Sequence, residues 1–184
     1  MTQRGEIKMA TLVICDIQPE YENYLSFDLS DFIKYLNYVA TRYENVVYFY
    51  NGYSTLGMIR EDELRWWLYE AGLSEKAMEG ILFVDKGYAF LREAMDSNVS
   101  YTNIVKALRL MSESNLDDSR FLPENIQKKL LNNKSIFWNE SFDIMQEYKS
   151  LVFIGGGKDE CLKELQLGAK ALRIKYRFNK KFVY

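Results

Sequence analysis

The sequence predicts an α/β fold, a three-layer sandwich with a mostly parallel central sheet. Three observations carry that prediction. Short apolar runs rich in Val, Ile and aromatic residues stand at Thr11–Ile17, Val46–Tyr50 and Leu151–Ile154. Amphipathic segments of helical period lie between and after them. Short joints connect strand to helix to strand, the pattern of a parallel crossover.

The first run, TLVICDI, has the length and β-branched content of a buried strand, and Asp16 interrupts it near its end. Pro19 argues against further extension as a central strand. Ser26 or Asp28 caps a helix expected to run through Thr41, with Leu29, Phe32, Ile33, Leu36 and Val39 as its apolar stripe. Val46–Tyr50 is the second strand, stopped by Asn51-Gly52. Met58–Ala71 reads as a helix ending at Gly72, with Leu64, Trp67 and Leu68 recurring at helical spacing. Ile81–Val84 is a further strand candidate. Tyr88–Met95, Asn103–Met111 and Glu124–Leu131 are helix candidates, and SESNLDDSR reads as an exposed joint. Residues 56–131 thus form a mainly helical insertion or cover within a single domain spanning 1–184. Ser135–Trp138 is a short strand candidate and Leu151–Ile154 a stronger one. The latter runs into Gly155-Gly156-Gly157, and a helix follows from about Lys158 or Asp159 through Ala171. Arg173–Phe178 alternates as a terminal strand that Lys180–Tyr184 extends or pairs with.

Composition narrows the chemistry. With 48% hydrophobic residues, 27% charged residues and only 2 Pro and 10 Gly in 184 residues, the chain is neither collagen-like, mucin-like nor disordered. It contains no histidine, which excludes His-based triads, zinc sites with His ligands and a His general base. A net charge of -2 argues against a globally electropositive nucleic-acid coat. Cys15 and Cys161 sit in apolar contexts and read as reduced thiols of a cytoplasmic protein. No apolar run approaches the roughly 20 residues needed to span a bilayer, so no membrane association is expected. No metal and no cofactor are expected either.

Two residues stand where strand ends place chemistry in an α/β sheet. Asp16 closes the first strand, where a carboxylate can take up a proton or orient a thiol; its plainer role is to accept backbone hydrogen bonds in the turn. Cys161 falls in the first turn of the helix after GGGK, where exposed amides and the helix dipole lower a thiol pKa. Its plainer role is packing, since Cys161, Leu165, Gly168 and Leu172 recur on one helix face. A cation is needed to complete the set: Lys86 in FVDKGYAF or Lys134 before SIFWNESF. With it, a carboxylate deprotonates the thiol, an ammonium stabilises the charge and the thiolate attacks an amide or similar electrophile. The turn at Gly156, Gly157, Lys158 and Asp159 supplies backbone amides for an oxyanion or anionic substrate.

The order and content of DIQPEYEN after the first strand and IGGGKDECLKELQLGAKAL near the end resemble the isochorismatase-like hydrolases, the superfamily that includes nicotinamidases. There an Asp-x-Gln motif follows the first strand, and a glycine-containing turn later presents a nucleophilic cysteine at a helix start. Asp16 and Gln18 match the first motif, Cys161 matches the nucleophile, Gly155 precedes it at the usual distance, and Ala169 and Ala171 suit the following helix. The resemblance covers the two ends of the chain and almost none of the middle. It implies a cysteine hydrolase acting on a small amide or related compound, with Gln18 at the substrate and a tendency to form homo-oligomers; the absence of histidine makes the expected enzyme metal-free. The family's lysine has two possible seats here. FVDKGYAF offers Lys86 at an unusually long distance from the cysteine. SIFWNESF keeps Ser141-Phe142 at better spacing but has Trp138 or Asn139 in place of lysine. The family's metal-binding histidines have no counterpart, and Gly156-Gly157-Lys158 replaces the usual alanine-threonine turn, so a catalytically inactive binding or protein-interaction module on the same scaffold is the alternative.

Other surfaces suggest other partners. IGGGKDE resembles a phosphate nest but lacks the Walker A spacing, and VICDIQ lacks the dinucleotide fingerprint. Arg173, Lys175 and Arg177, interleaved with Tyr176 and Phe178, form a strip able to bind nucleic acid. The simpler reading is an edge strand guarded by its charges. Trp66, beside a core-facing Trp67, is a candidate protein-interface anchor.

Overall fold

The structure, a computed structural model, describes residues 10–54, 57–87 and 90–184. In chain order, strand β1 (Thr11–Cys15) leads through a 3-10 turn (Pro19–Tyr24) into helix α1 (Leu29–Val39) and strand β2 (Asn45–Tyr50). Two short strands, β3 (Tyr53–Ser54) and β4 (Gly57–Met58), pair antiparallel. Helices α2 (Glu61–Glu70) and α3 (Glu75–Glu79) precede strand β5 (Ile81–Asp85). Helices α4 (Arg92–Asp96), α5 (Tyr101–Glu113), α6 (Glu124–Leu131) and α7 (Glu140–Gln146) follow. Strand β6 (Ser150–Gly155), helix α8 (Cys161–Ala171), strand β7 (Lys175–Phe178) and a 3-10 turn (Lys180–Phe182) complete the order.

Five strands make one sheet in the order β5-β2-β1-β6-β7, and every pairing in it is parallel. The two-residue period of β1 divides the core in two. Val13 and Cys15 face a cluster built with α4–α8, whereas Leu12 and Ile14 face one built with α1–α3. Phe153 and Val152 divide in the same way on β6. The result is an α/β fold with helices on both faces, the three-layer arrangement predicted from the sequence.

Local chemistry explains most boundaries. Asp28, rather than Ser26, caps α1 by accepting from the Ser30 amide at 2.7 Å. The buried stripe is Phe32, Ile33, Leu36 and Val39. The helix expected from Met58 begins at Glu61 instead, because Met58 is taken up in the β3–β4 pair. Of the helix expected over Tyr88–Met95, residues 88 and 89 lie outside those described, and helix is present from Arg92.

Ser135–Trp138 is not a sheet strand. Its amides are taken instead by Ser119 Oγ, Phe90 O and Asp117 O, leaving a single bridge between Asp118 and Phe137. Lys180–Phe182 turns as a 3-10 segment instead of extending β7, and it buries Phe182 against Phe32 and Tyr35. The segment 56–131 contributes β5 to the main sheet as well as helices.

Two glycines set close approaches. Gly168 lets α8 pack on α7, since a Cβ there would stand 2.1 Å from Phe142 Cε1. Gly155 adopts φ +77°, and its Cβ would fall 2.2 Å from the Cys15 carbonyl oxygen.

Candidate active site

The carboxyl ends of β5, β2, β1 and β6 meet along one edge of the sheet, and each delivers a polar group there. The β1 ladder continues one residue beyond the strand, with the Asp16 amide donating to Phe49 O at 2.9 Å. The chain then turns left-handed at Asp16 (φ 50°), a conformation uncommon outside glycine that Asp tolerates better than most residues. The β5 ladder likewise continues through the Lys86 amide to Tyr50 O at 2.9 Å. From there the Lys86 side chain reaches past the end of β2, and its Nζ lies 3.1 Å from Asp16 Oδ2. Both groups are withdrawn from solvent, Asp16 to 1% exposure and Lys86 to 2%. Of the two lysines weighed from the sequence, Lys86 is the one at Asp16. Lys134 lies 3.8 Å from Glu93.

Cys161 is the first residue of α8 and is half-buried. Its thiol lies within the electrostatic reach of both Asp16 and Lys86. Burial pushes it well above the ordinary thiol range, Asp16 pushes it further, and Lys86 opposes both. The lowering expected from a helix start is therefore outweighed. Burial also works against the Lys86 ammonium, but Asp16 and the two thiols outweigh it and hold the group above the ordinary lysine value. Asp16 Oδ1 is buried with no hydrogen-bond partner among the described residues.

Gln18 is fully buried and joins two strand ends. Its Oε1 accepts from the Asn51 amide at 2.9 Å, and its Nε2 donates to Asn51 O at 3.1 Å and Glu20 Oε2 at 3.0 Å. All four of Asp16, Gln18, Lys86 and Cys161 thus belong to this edge or border it. Gly156 packs under it, against Leu162 and the Cys15 sulfur.

The rest of the expected anion cradle is differently engaged. The Lys158 amide donates to Tyr184 O at 2.7 Å and the Glu160 amide to Gly157 O at 3.0 Å. The Lys158 and Asp159 side chains are exposed, and Lys158 lines a surface cavity of about 350 Å³ with Leu162 and Lys180. Arg173, Lys175 and Arg177 do not join the site. Lys175 pairs with Ser150 at the amino end of the sheet, and β7 is an edge strand. Trp66 is 63% exposed and stacks on Tyr69, while Trp67 packs at the α1–α3 core.

Several residues border the site that sequence reading did not assign to it. The Cys15 thiol donates to Asp16 Oδ2 at 3.5 Å and is itself pushed up by burial and by Asp16. Glu164, three residues beyond Cys161, is buried and accepts from the Leu91 amide at 2.8 Å. Burial raises its pKa against the pull of that bond, Lys86 and Arg92. The i, i+3 spacing on α8 was the available signal for it. Asn139 donates to the Lys86 carbonyl at 2.5 Å and caps α7 through the Ser141 amide. Tyr184 donates its phenol to the Asp16 carbonyl at 2.8 Å, and its distance along the chain left no signal.

Among the described residues, no group of three or more His, Cys, Asp or Glu side chains is placed to hold a metal ion, and no helix is long and apolar enough to cross a membrane. The fold and this edge define an α/β protein with a buried carboxylate–ammonium pair beside a cysteine. No protein-family model matches the chain, and comparison with curated proteins and with solved structures returns no match.

Proposed function

We propose that this protein is a metal-free cysteine hydrolase of the isochorismatase-like type, acting on a small amide or related compound. The observation that carries the reading is the 3.1 Å Lys86–Asp16 pair beside a half-buried thiol at a helix start. Starting from ammonium, carboxylate and thiol, transfer of the Cys161 proton to Asp16 leaves the net charge of the group unchanged. A reaction that keeps charge constant avoids the large cost of creating a new one in a dry site. The thiolate forms its C–S bond at the substrate carbonyl, and the C=O electron pair moves to oxygen. Asp16 returns the proton to the leaving nitrogen as the C–N bond breaks. Water, deprotonated by Asp16, then cleaves the thioester and the proton returns to sulfur. Lys86 stays protonated throughout and stabilises the thiolate.

The second reading, an inactive binding module, draws support from the raised thiol pKa, which leaves little thiolate at rest. Homo-oligomer formation belongs with the family reading. A panel of small amides and esters, with mass-spectrometric detection of acylated Cys161, separates the two. Turnover abolished by Cys161→Ser in a folded protein supports the hydrolase. A folded wild-type protein that neither turns over nor becomes acylated overturns it in favour of the binding module.

A further inference from the structure

Asp16 has to face two partners arriving from opposite sides. Lys86 comes from β5, beyond β2, and Cys161 comes from the helix after β6 on the other flank of β1. Its backbone is left-handed (φ 50°), a conformation Asp adopts more readily than most residues and that contacts to the turn help to fix. Tyr184 supplies such contacts on both sides of the gap. Its hydroxyl donates to the Asp16 carbonyl at 2.8 Å. Its amide donates to Gly156 O at 3.3 Å, and its carbonyl accepts from the Lys158 amide at 2.7 Å, within the turn leading to Cys161.

The segment carrying Tyr184 is itself anchored. Asn179 N donates to Phe153 O at 3.0 Å, and Ser26 Oγ donates to Val183 O at 3.2 Å. Buried Phe182 packs edge-on against Phe27, whose ring also lies 6.5 Å from that of Tyr184. One residue thus bonds both to the loop of the base and to the loop of the nucleophile. We infer that Tyr184 is a positioning residue, holding Asp16 in register with Cys161 through the Asp16 carbonyl. The inference rests on the reading of Asp16 as the base for Cys161.

Substrate-free alkylation of Cys161, followed residue-specifically across pH, tests it. Tyr184→Phe keeps the ring and every backbone bond and removes only the hydroxyl. If the phenol holds Asp16, its loss relaxes the carboxylate away from the thiol. Labelling at a fixed pH below the midpoint then rises about two- to tenfold, the range expected for one hydrogen bond. The same substitution made on Asp16→Asn produces no further change, because the charge being positioned is gone. An unchanged profile in Tyr184→Phe overturns the inference. So does an equal increase in both backgrounds, which marks a general opening around the thiol. Should Tyr184→Phe fail to fold, Tyr184→Met, a flexible apolar filler without the hydroxyl, carries the same prediction. The two proposals fail separately. Absence of turnover with a coupled profile removes the hydrolase and leaves the positioning relation, whereas Cys161-dependent turnover with an uncoupled profile removes the positioning relation alone.

Discussion

Lys86 Nζ meets Asp16 Oδ2 at 3.1 Å across the end of β2, with both side chains shut off from solvent. Such a pair is favourable only while both members are present, since either charge left alone in the interior bears its full desolvation cost. Lys86→Met is therefore expected to lower stability by about 3–5 kcal/mol. The double variant Asp16→Asn/Lys86→Met is expected to recover much of that loss. Urea denaturation of the two single variants and the double variant measures both. Additive losses would show that the pair is uncoupled.

The same pair governs Cys161. Burial comes first among the influences on its thiol, and Asp16 then raises the pKa further while Lys86 lowers it. Asp16→Asn removes the second effect and leaves Lys86 opposed mainly by burial, so the midpoint of Cys161 alkylation is expected to move to lower pH. On the proposed hydrolase reading, turnover is expected to fall in the same variant, because the proposed proton acceptor is lost. A faster-labelling, slower-turning protein is an unusual combination that loss of packing alone does not produce without loss of stability. An alkylation midpoint that stays fixed or rises would refute the electrostatic account.

Much of this arrangement is legible in the sequence, and for identifiable reasons. The apolar runs of β1, β2 and β6 are buried on both faces, which is what makes a central parallel strand read as continuous hydrophobicity. Asp16 and Cys161 were visible because each interrupts or follows such a run. Lys86 was visible only as one of two candidates, since strand order, and hence which strand end lies near Asp16, is a tertiary property. Ser135–Trp138 has strand-like content, but its hydrogen-bonding groups are taken by Ser119, Phe90 and Asp117. Tyr184 lies 168 residues from Asp16, and nothing local to either residue announces the bond.

Alkaline pH is expected to weaken the fold. The pKa values of Cys15, Cys161, Tyr48, Tyr184 and Lys86 are all raised in the folded protein. A group with a raised folded pKa binds more protons in the native state. Its contribution is complete below its unfolded value and is lost as pH climbs toward the folded one. The decline should begin near the ordinary thiol value of about 8.5 and steepen above about 10, where tyrosine and lysine join. Removing both thiols, as Cys15→Ala/Cys161→Ala, is expected to flatten the first part and leave the second. Chemical denaturation at a series of pH values tests this, and a first part that stays equally steep without the thiols would contradict it.

The approach of α8 to α7 depends on the missing side chain at Gly168. An added methyl would stand 2.1 Å from Phe142 Cε1 and 2.3 Å from Cδ1, in a fully buried contact. Gly168→Ala is expected to cost about 1–3 kcal/mol or more through overpacking. Phe142→Leu creates a cavity and is destabilising alone, but the two changes compensate in volume. The double variant should therefore be more stable than the sum of the singles implies. Thermal or urea unfolding of the full cycle measures the coupling, and strict additivity would place the strain elsewhere.

The basic strip on β7 is best tested through what an edge needs. Lys175 and Arg177 are exposed on the outermost strand while Tyr176 and Phe178 pack inward against Phe153. Charges on an exposed edge discourage pairing with another chain. Lys175→Val/Arg177→Val is thus expected to self-associate at concentrations where the wild type stays dispersed, read by light scattering. Charge reversal, as Arg173→Glu/Lys175→Glu/Arg177→Glu, keeps the edge charged and is expected to leave the protein dispersed. The reversed variant also tests nucleic-acid binding. If wild-type protein binds single-stranded nucleic acid with steep salt dependence and the reversed variant does not, the strip is a binding surface. If neither binds and only the valine variant associates, its charges serve the edge.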